Sequence, residues 1–247
     1  LIRHFDPDPI PFLQCCARAQ QKTLAVDVLE REAWRVRAVE RQPGDATRVL
    51  NECLADLDRA RTVPEIRACV RTFKPRFAAV PIDESRVPLR IGLLGEATLL
   101  RDRYLNHNLE EILGGLGAEV RNFFLLGDEM RNIFRIGLFS RNSRWRLKRL
   151  ARPYLENLVG GHALDSVAHA IRCAQEGYDG IVHVAPAGCM PEVSVRPILR
   201  RLGQDLDLPI LECSFDEHAS HVGVVTRLEA FVSMLRERQA NKPRKRT

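Results

Sequence analysis

The sequence has no C-x-x-C pair, no G-x-G-x-x-G turn and no apolar run near the ~20 residues of a membrane-spanning helix. Without C-x-x-C, spacing does not point to a closed structural zinc site. Without G-x-G-x-x-G, a dinucleotide site of the usual fingerprint is not supported. Leu1–Phe12 shows no basic segment leading into an apolar core, so it does not read as a secretory signal. The seven cysteines are odd in number. That argues against a secreted disulfide scaffold and predicts a reducing, cytoplasmic setting.

Acidic residues are also missing where they would matter most. Arg131–Arg152 carries eight basic residues and no acidic one, and Arg236–Thr247 carries a net +5. The whole chain is only +6, so the rest sums to −7. Two segments are basic and the body is not, which argues against a uniformly nucleic-acid-binding surface. The Arg131–Arg152 segment reads as an amphipathic helix with a solvated basic side, or as a docking face for an acidic partner or for phosphates. The end, 241–247, reads as a disordered basic tail.

What is present is an ordinary globular composition: 247 residues, 45% hydrophobic and 28% charged. Residues 1–87 read as a helical segment. Pro7, Pro9 and Pro11 predict an extended lead-in. From Phe12 to about Glu40 the residues Phe12, Leu13, Cys16, Leu24, Val28 and Leu29 recur at helical spacing. Pro43-Gly44-Asp45 ends that run, and Asp45 is placed to cap a second helix. Pro64 suits the first turn of a third. Cys53 and Cys69 fall on the apolar stripes of these helices.

From Pro88 the pattern alternates strand and helix. Predicted strands are Leu89–Gly95, Ala118–Phe124, Gly180–Ala185 and Leu208–Cys213, with helices at Asn106–Leu116, Gly161–Glu176, Pro191–Leu202 and Val222–Arg238. Alternation of this kind predicts a small doubly wound, Rossmann-like α/β domain with a parallel sheet over 88–240. Ligands on such sheets bind at the carboxyl ends of the strands. The loops there carry Gly95-Glu96, Gly188-Cys189 and Asp216-Glu217-His218-Ala219-Ser220-His221. Cys189 precedes a helix whose dipole favours a thiolate, which suits a nucleophile or a metal ligand as well as an inert loop thiol. Two carboxylates and two imidazoles after the last strand suit proton transfer, metal binding or simple capping. The loops should lie side by side, so that Cys189 and His218 share one cleft.

Several runs in order resemble a known family. They are Arg90–Glu96 with Asn106 downstream, Gly161-His162, Gly188-Cys189-Met190-Pro191-Glu192, Asp216-Glu217-His218 and Thr226–Phe231. Together they resemble the C-terminal half of the 2-hydroxyacyl-CoA dehydratase D-component superfamily, nearest its CoA protein activase-related branch. Arg37–Gly44 resembles that branch's interdomain helices. The resemblance implies two stacked Rossmann-like domains around a cysteine-bound 4Fe–4S cluster. It implies an ATP-hydrolysing activase that injects one electron, and, in true dehydratases, loss of water from a 2-hydroxyacyl-CoA through a ketyl radical. Cys189 matches the family's loop cysteine and is the implied cluster ligand, with Gly188 and Glu96 beside the cofactor. Asp216, Glu217 and His218 are the implied catalytic group. Arg227 and Glu229 read as a structural pairing with the loop, and His162 as a phosphate contact or a helix cap. Cys213 stands where relatives carry an aliphatic residue. The family's other ligand cysteines belong to an N-terminal α/β domain absent from this sequence, so the chain, which begins at Leu1, is expected to be a C-terminal part with an incomplete ligand set. Expected partners are an activase or dehydratase subunit and an acyl-CoA, with no membrane. A zinc-dependent hydrolase and a non-catalytic partner-binding module are the alternatives.

Overall fold

Where the N-terminal helices begin and end follows from a few residues. The computed structural model describes residues 9–134, 141–157, 159–216 and 220–241. It places α1 at Pro9–Arg37, α2 at Asp45–Arg59 and α3 at Val63–Ala78. Pro9 and Pro11 stand within the first turn of α1, where a missing N–H costs nothing, and not in an extended lead-in. Pro7 lies outside the described residues. Phe12, Leu13 and Cys16 are exposed, contrary to expectation. The reason is length. At about 1.5 Å per residue, helices of 15 and 16 residues cannot cover one of 29. The buried stripe of α1 begins at Ala25 and continues through Leu29 and Ala33.

Asp45 does not cap α2. Glu40 does: its carboxylate accepts from the N–H groups of Gly44 (2.9 Å) and Ala46 (2.7 Å). Gly44 takes φ 97°, which brings Glu40 under the helix end. Asp45, now inside the helix, pairs with Arg48 at 3.2 Å. At α3, Thr62 accepts from Glu65 N–H, and the Glu65 carboxylate accepts from Arg61 N–H, with Pro64 in the first turn. The three helices share a core that includes Leu50, Cys53, Ile66, Phe73 and Phe77.

The α/β part has the predicted class. Strands β1 (Leu89–Gly95), β2 (Ala118–Asn122), β3 (Gly180–Pro186) and β4 (Ile210–Phe215) are all parallel, in the order β2-β1-β3-β4. Between them run α4 (Ala97–Arg101), α5 (Leu109–Gly115), α6 (Leu126–Phe134), α7 (Arg141–Ala151), α8 (Ala163–Gln175) and α9 (Met190–Asp205), and α10 (His221–Asn241) follows β4. Helices α8 and α9 pack together, as do α5 and α10. Right-handed crossovers in opposite directions place these pairs on opposite faces. β4 starts two residues later than expected because Pro209 has no N–H to give the ladder. The helix expected from Asn106 begins at Leu109. Asn106 is buried instead, its Nδ2 donating to Leu99 C=O (2.8 Å) and its Oδ1 accepting from Leu109 N–H (3.2 Å).

The C-terminal half of α1 packs on α5, α6 and β2. Trp34 belongs to the α/β core and donates from Nε1 to Glu110 Oε2 at 2.8 Å. Asn122 Nδ2 donates to the other Glu110 oxygen at 3.1 Å. Burial raises the Glu110 pKa against these hydrogen bonds. Glu30, on the same helix as Trp34, is pushed up to about 7, by burial first and by Glu110 second, although Arg103 holds it at 2.5 Å.

Candidate functional site

The winding direction reverses between β1 and β3, which is where open α/β sheets generally bind their ligands. Gly95 closes β1 onto β3 at φ 130°; a Cβ there would stand 1.8 Å from Val184 O. Glu96 N–H donates to Val184 C=O at 2.9 Å, and Ala187 N–H donates to Phe215 C=O at 2.9 Å. The carboxyl ends of β1, β3 and β4 therefore lie side by side, while His218, expected to share a cleft with Cys189, lies outside the described residues.

Cys189 caps α9 at this edge. Its N–H donates to Pro186 C=O (3.1 Å), and its C=O accepts from Val193 N–H (2.9 Å). The thiol makes no capping hydrogen bond and the residue is half-buried. At Gly188 a Cβ would meet no atom within 4 Å, so open space adjoins the thiol's loop. Pro191, in the first turn of α9, is approached by Gly160 and Gly161, at 3.8 and 3.2 Å from where their Cβ atoms would be. The Gly161-His162 motif thus adjoins the Cys189 turn.

Beneath this turn lies a polar cluster that the sequence reading did not find. His183, in the middle of β3, and Glu192, in the first turn of α9, are fully buried and meet Nε2 to Oε2 at 2.8 Å. Ser166 of α8, also buried, donates to the same Glu192 oxygen at 3.0 Å. His183 Nδ1 and Glu192 Oε1 are covered and have no hydrogen-bond partner among the described residues. One strand and two helices are thus fastened together directly under the loop that carries Cys189. A histidine inside an apolar strand, with a Pro-Glu pair opening the next helix, was the available signal.

The rim carries the other candidates. Glu96 caps α4, its Oε2 accepting from Leu99 N–H at 2.9 Å. Burial works against its charge, but the N–H groups of Thr98 and Leu99, the Thr98 hydroxyl and nearby His162 prevail and hold its pKa below the ordinary value. His162 sits 3.4 Å from Asp165, 3.9 Å from Glu129 and edge-on to Phe124 at 5.2 Å. His107, which the sequence reading did not single out, faces both Phe215 and His221 at 5.8 Å between ring centroids. Asp216 is exposed at the end of β4, and Glu217 and His218 lie outside the described residues. Arg227 donates to Glu212 C=O and Glu229 is exposed.

The cysteines divide sharply. Cys53, Cys173 and Cys213 are buried, and desolvation raises the pKa of all three thiols, that of Cys173 to about 12. Cys69 is half-buried among the N-terminal helices, and Cys15 and Cys16 are exposed on α1. Among the described residues no three His, Cys, Asp or Glu side chains converge where they could hold a metal. No described helix is long and apolar enough to cross a membrane. No protein-family model matches the chain, and neither does any curated protein.

Proposed function

We propose that the chain is the Cys189-bearing part of an activase-driven iron–sulfur protein of the acyl-CoA dehydratase type, acting in low-potential electron transfer or radical dehydration. The observation that supports it most is the placement of Cys189. Of the seven cysteines it alone stands on a carboxyl-edge loop, after one of the two strands between which the winding reverses. A cluster needs about four ligands, typically thiolates, and the described residues gather no such set. The residues present fit one ligand and not a complete cluster. The reading therefore assigns Cys189 a single thiolate in a site completed by another domain or subunit. Gly188 leaves room beside it, and Glu96 and Asp216 follow the strands β1 and β4 on either side of β3.

Anaerobic iron–sulfide reconstitution tests this. Protein isolated at its native length with its copurifying partners should take up iron and sulfide and give a reduced-cluster EPR signal. Cys189→Ser should lose both while keeping its circular dichroism. Iron content unchanged in Cys189→Ser removes the assignment. Stoichiometric zinc in place of iron would favour the hydrolase alternative.

A further inference from the structure

A cleft of about 1000 Å³, whose lining does not include Cys189, is bordered by α7, α8 and the end of the outer strand β2. Five arginines line it: Arg31, Arg121, Arg146, Arg149 and Arg172. Two carboxylates face them, and each is already held: Asp128 by Arg31 at 2.7 Å and Glu176 by Arg172 at 2.5 Å. Arg121, Arg146 and Arg149 form no ion pair among the described residues. Arg121 instead lies over the Phe123 ring at 5.2 Å, and Arg149 over Trp145 at 5.7 Å. Guanidinium forks without carboxylates, gathered on one cavity, match phosphate oxygens in charge and geometry.

The rest of the lining is not ionic. Leu147, Leu150, Pro153 and Tyr154 supply an apolar wall. Phe123 stacks on His169 with ring centroids 4.6 Å apart and planes 23° apart. The Nδ1 atom of His169 is covered and has no hydrogen-bond partner among the described residues. Burial first, then the guanidinium groups of Arg172 and Arg121, push its pKa down to about 4, so the imidazole is neutral at pH 7. The cavity thus combines cationic forks, aromatic faces and a neutral imidazole. Its volume suits a small organic ligand, for which pockets run to about 1,000 Å³.

We propose that this cleft is a second binding site, for a nucleotide-type ligand whose phosphates meet Arg121, Arg146 and Arg149 and whose planar base packs among Tyr154, Leu147 and Leu150. A polymer is disfavoured: outside the two basic segments the chain sums to −7, which repels an extended phosphate backbone. ADP and coenzyme A share the phosphate-and-base chemistry, and the site does not depend on the role of Cys189.

Calorimetric titration of the full chain with ADP, coenzyme A and inorganic pyrophosphate tests the proposal and shows which source fits. ADP or coenzyme A should bind with one-to-one saturation. Arg146→Ala combined with Arg149→Ala should weaken that binding by about tenfold or more, two charge-assisted contacts being lost. Tyr154→Ala should weaken the nucleotides but not pyrophosphate. Replacing Lys242, Arg244, Lys245 and Arg246 by Ala should change nothing. Absence of saturable binding by both nucleotides, equal loss in the tail variant, or tighter binding of a single-stranded oligonucleotide would each overturn it.

Discussion

His183 Nε2 lies 2.8 Å from Glu192 Oε2, and both side chains are sealed from solvent. The contact joins the middle of β3 to the first turn of α9, so it sets where that helix begins and where its cap, Cys189, stands. Two partners depend on one Glu192 oxygen, since Ser166 also donates to it. Truncating Glu192 would strand both in the core. Glu192→Ala should cost about 3 kcal/mol in urea unfolding, against about 1 kcal/mol for Glu192→Gln. Glu192→Ala should also speed alkylation of Cys189 as the helix start loosens. An unchanged rate would separate the buried cluster from the cysteine.

Gly95 allows β1 to close on β3. Its φ of 130° is open to glycine, and a Cβ would overlap Val184 O at 1.8 Å. Gly95→Ala should destabilise the protein by more than about 3 kcal/mol. Gly188→Ala, where a Cβ meets nothing within 4 Å, should leave stability unchanged in the same denaturation series.

Glu30 gives the protein a pH dependence. Its folded pKa near 7 lies above its ordinary 4.5, so the folded state keeps a proton that the unfolded state releases. Stability from this group is full below pH 4.5 and declines as pH rises toward 7. Glu30→Gln should remove its share of the decline, leaving that of the neighbouring Glu110, whose pKa burial also raises. Between pH 5 and 8, wild-type stability should fall relative to the variant by on the order of 2 kcal/mol. Urea midpoints across that range would show it, and a parallel pair of curves would refute it.

Thiol reactivity should follow burial. In native protein, Cys15 and Cys16 should be alkylated first, the half-buried Cys69 and Cys189 more slowly, and Cys53, Cys173 and Cys213 only on unfolding. Mass spectrometry of a timed labelling series would show the order.

Much of this was legible in the sequence. The apolar run Leu89–Gly95 read as a buried strand, which the structure bears out at every residue but Arg90, and helices between such runs implied parallel pairing. The carboxyl-edge loops followed from that topology. Long-range pairs were not legible. Trp34 reaching Glu110 leaves no periodic trace, because it depends on where another element passes, and even the local cap of α2 by Glu40 needs the turn at Gly44 that brings its carboxylate back to the helix end. The exposed start of α1 misled for a related reason: Phe12 and Leu13 keep helical spacing without a helix long enough to cover them. His183 and Glu192 were hidden by a nine-residue separation that becomes contact only when strand and helix fold back on each other.

Cysteine footprinting before and after anaerobic reconstitution of the native-length protein bears most directly on the role of Cys189. Cluster assembly should protect Cys189 from iodoacetamide while Cys15 and Cys16 remain labelled. Cys189 labelled as fast in the iron-loaded protein as in the iron-free one would contradict its assignment as a ligand.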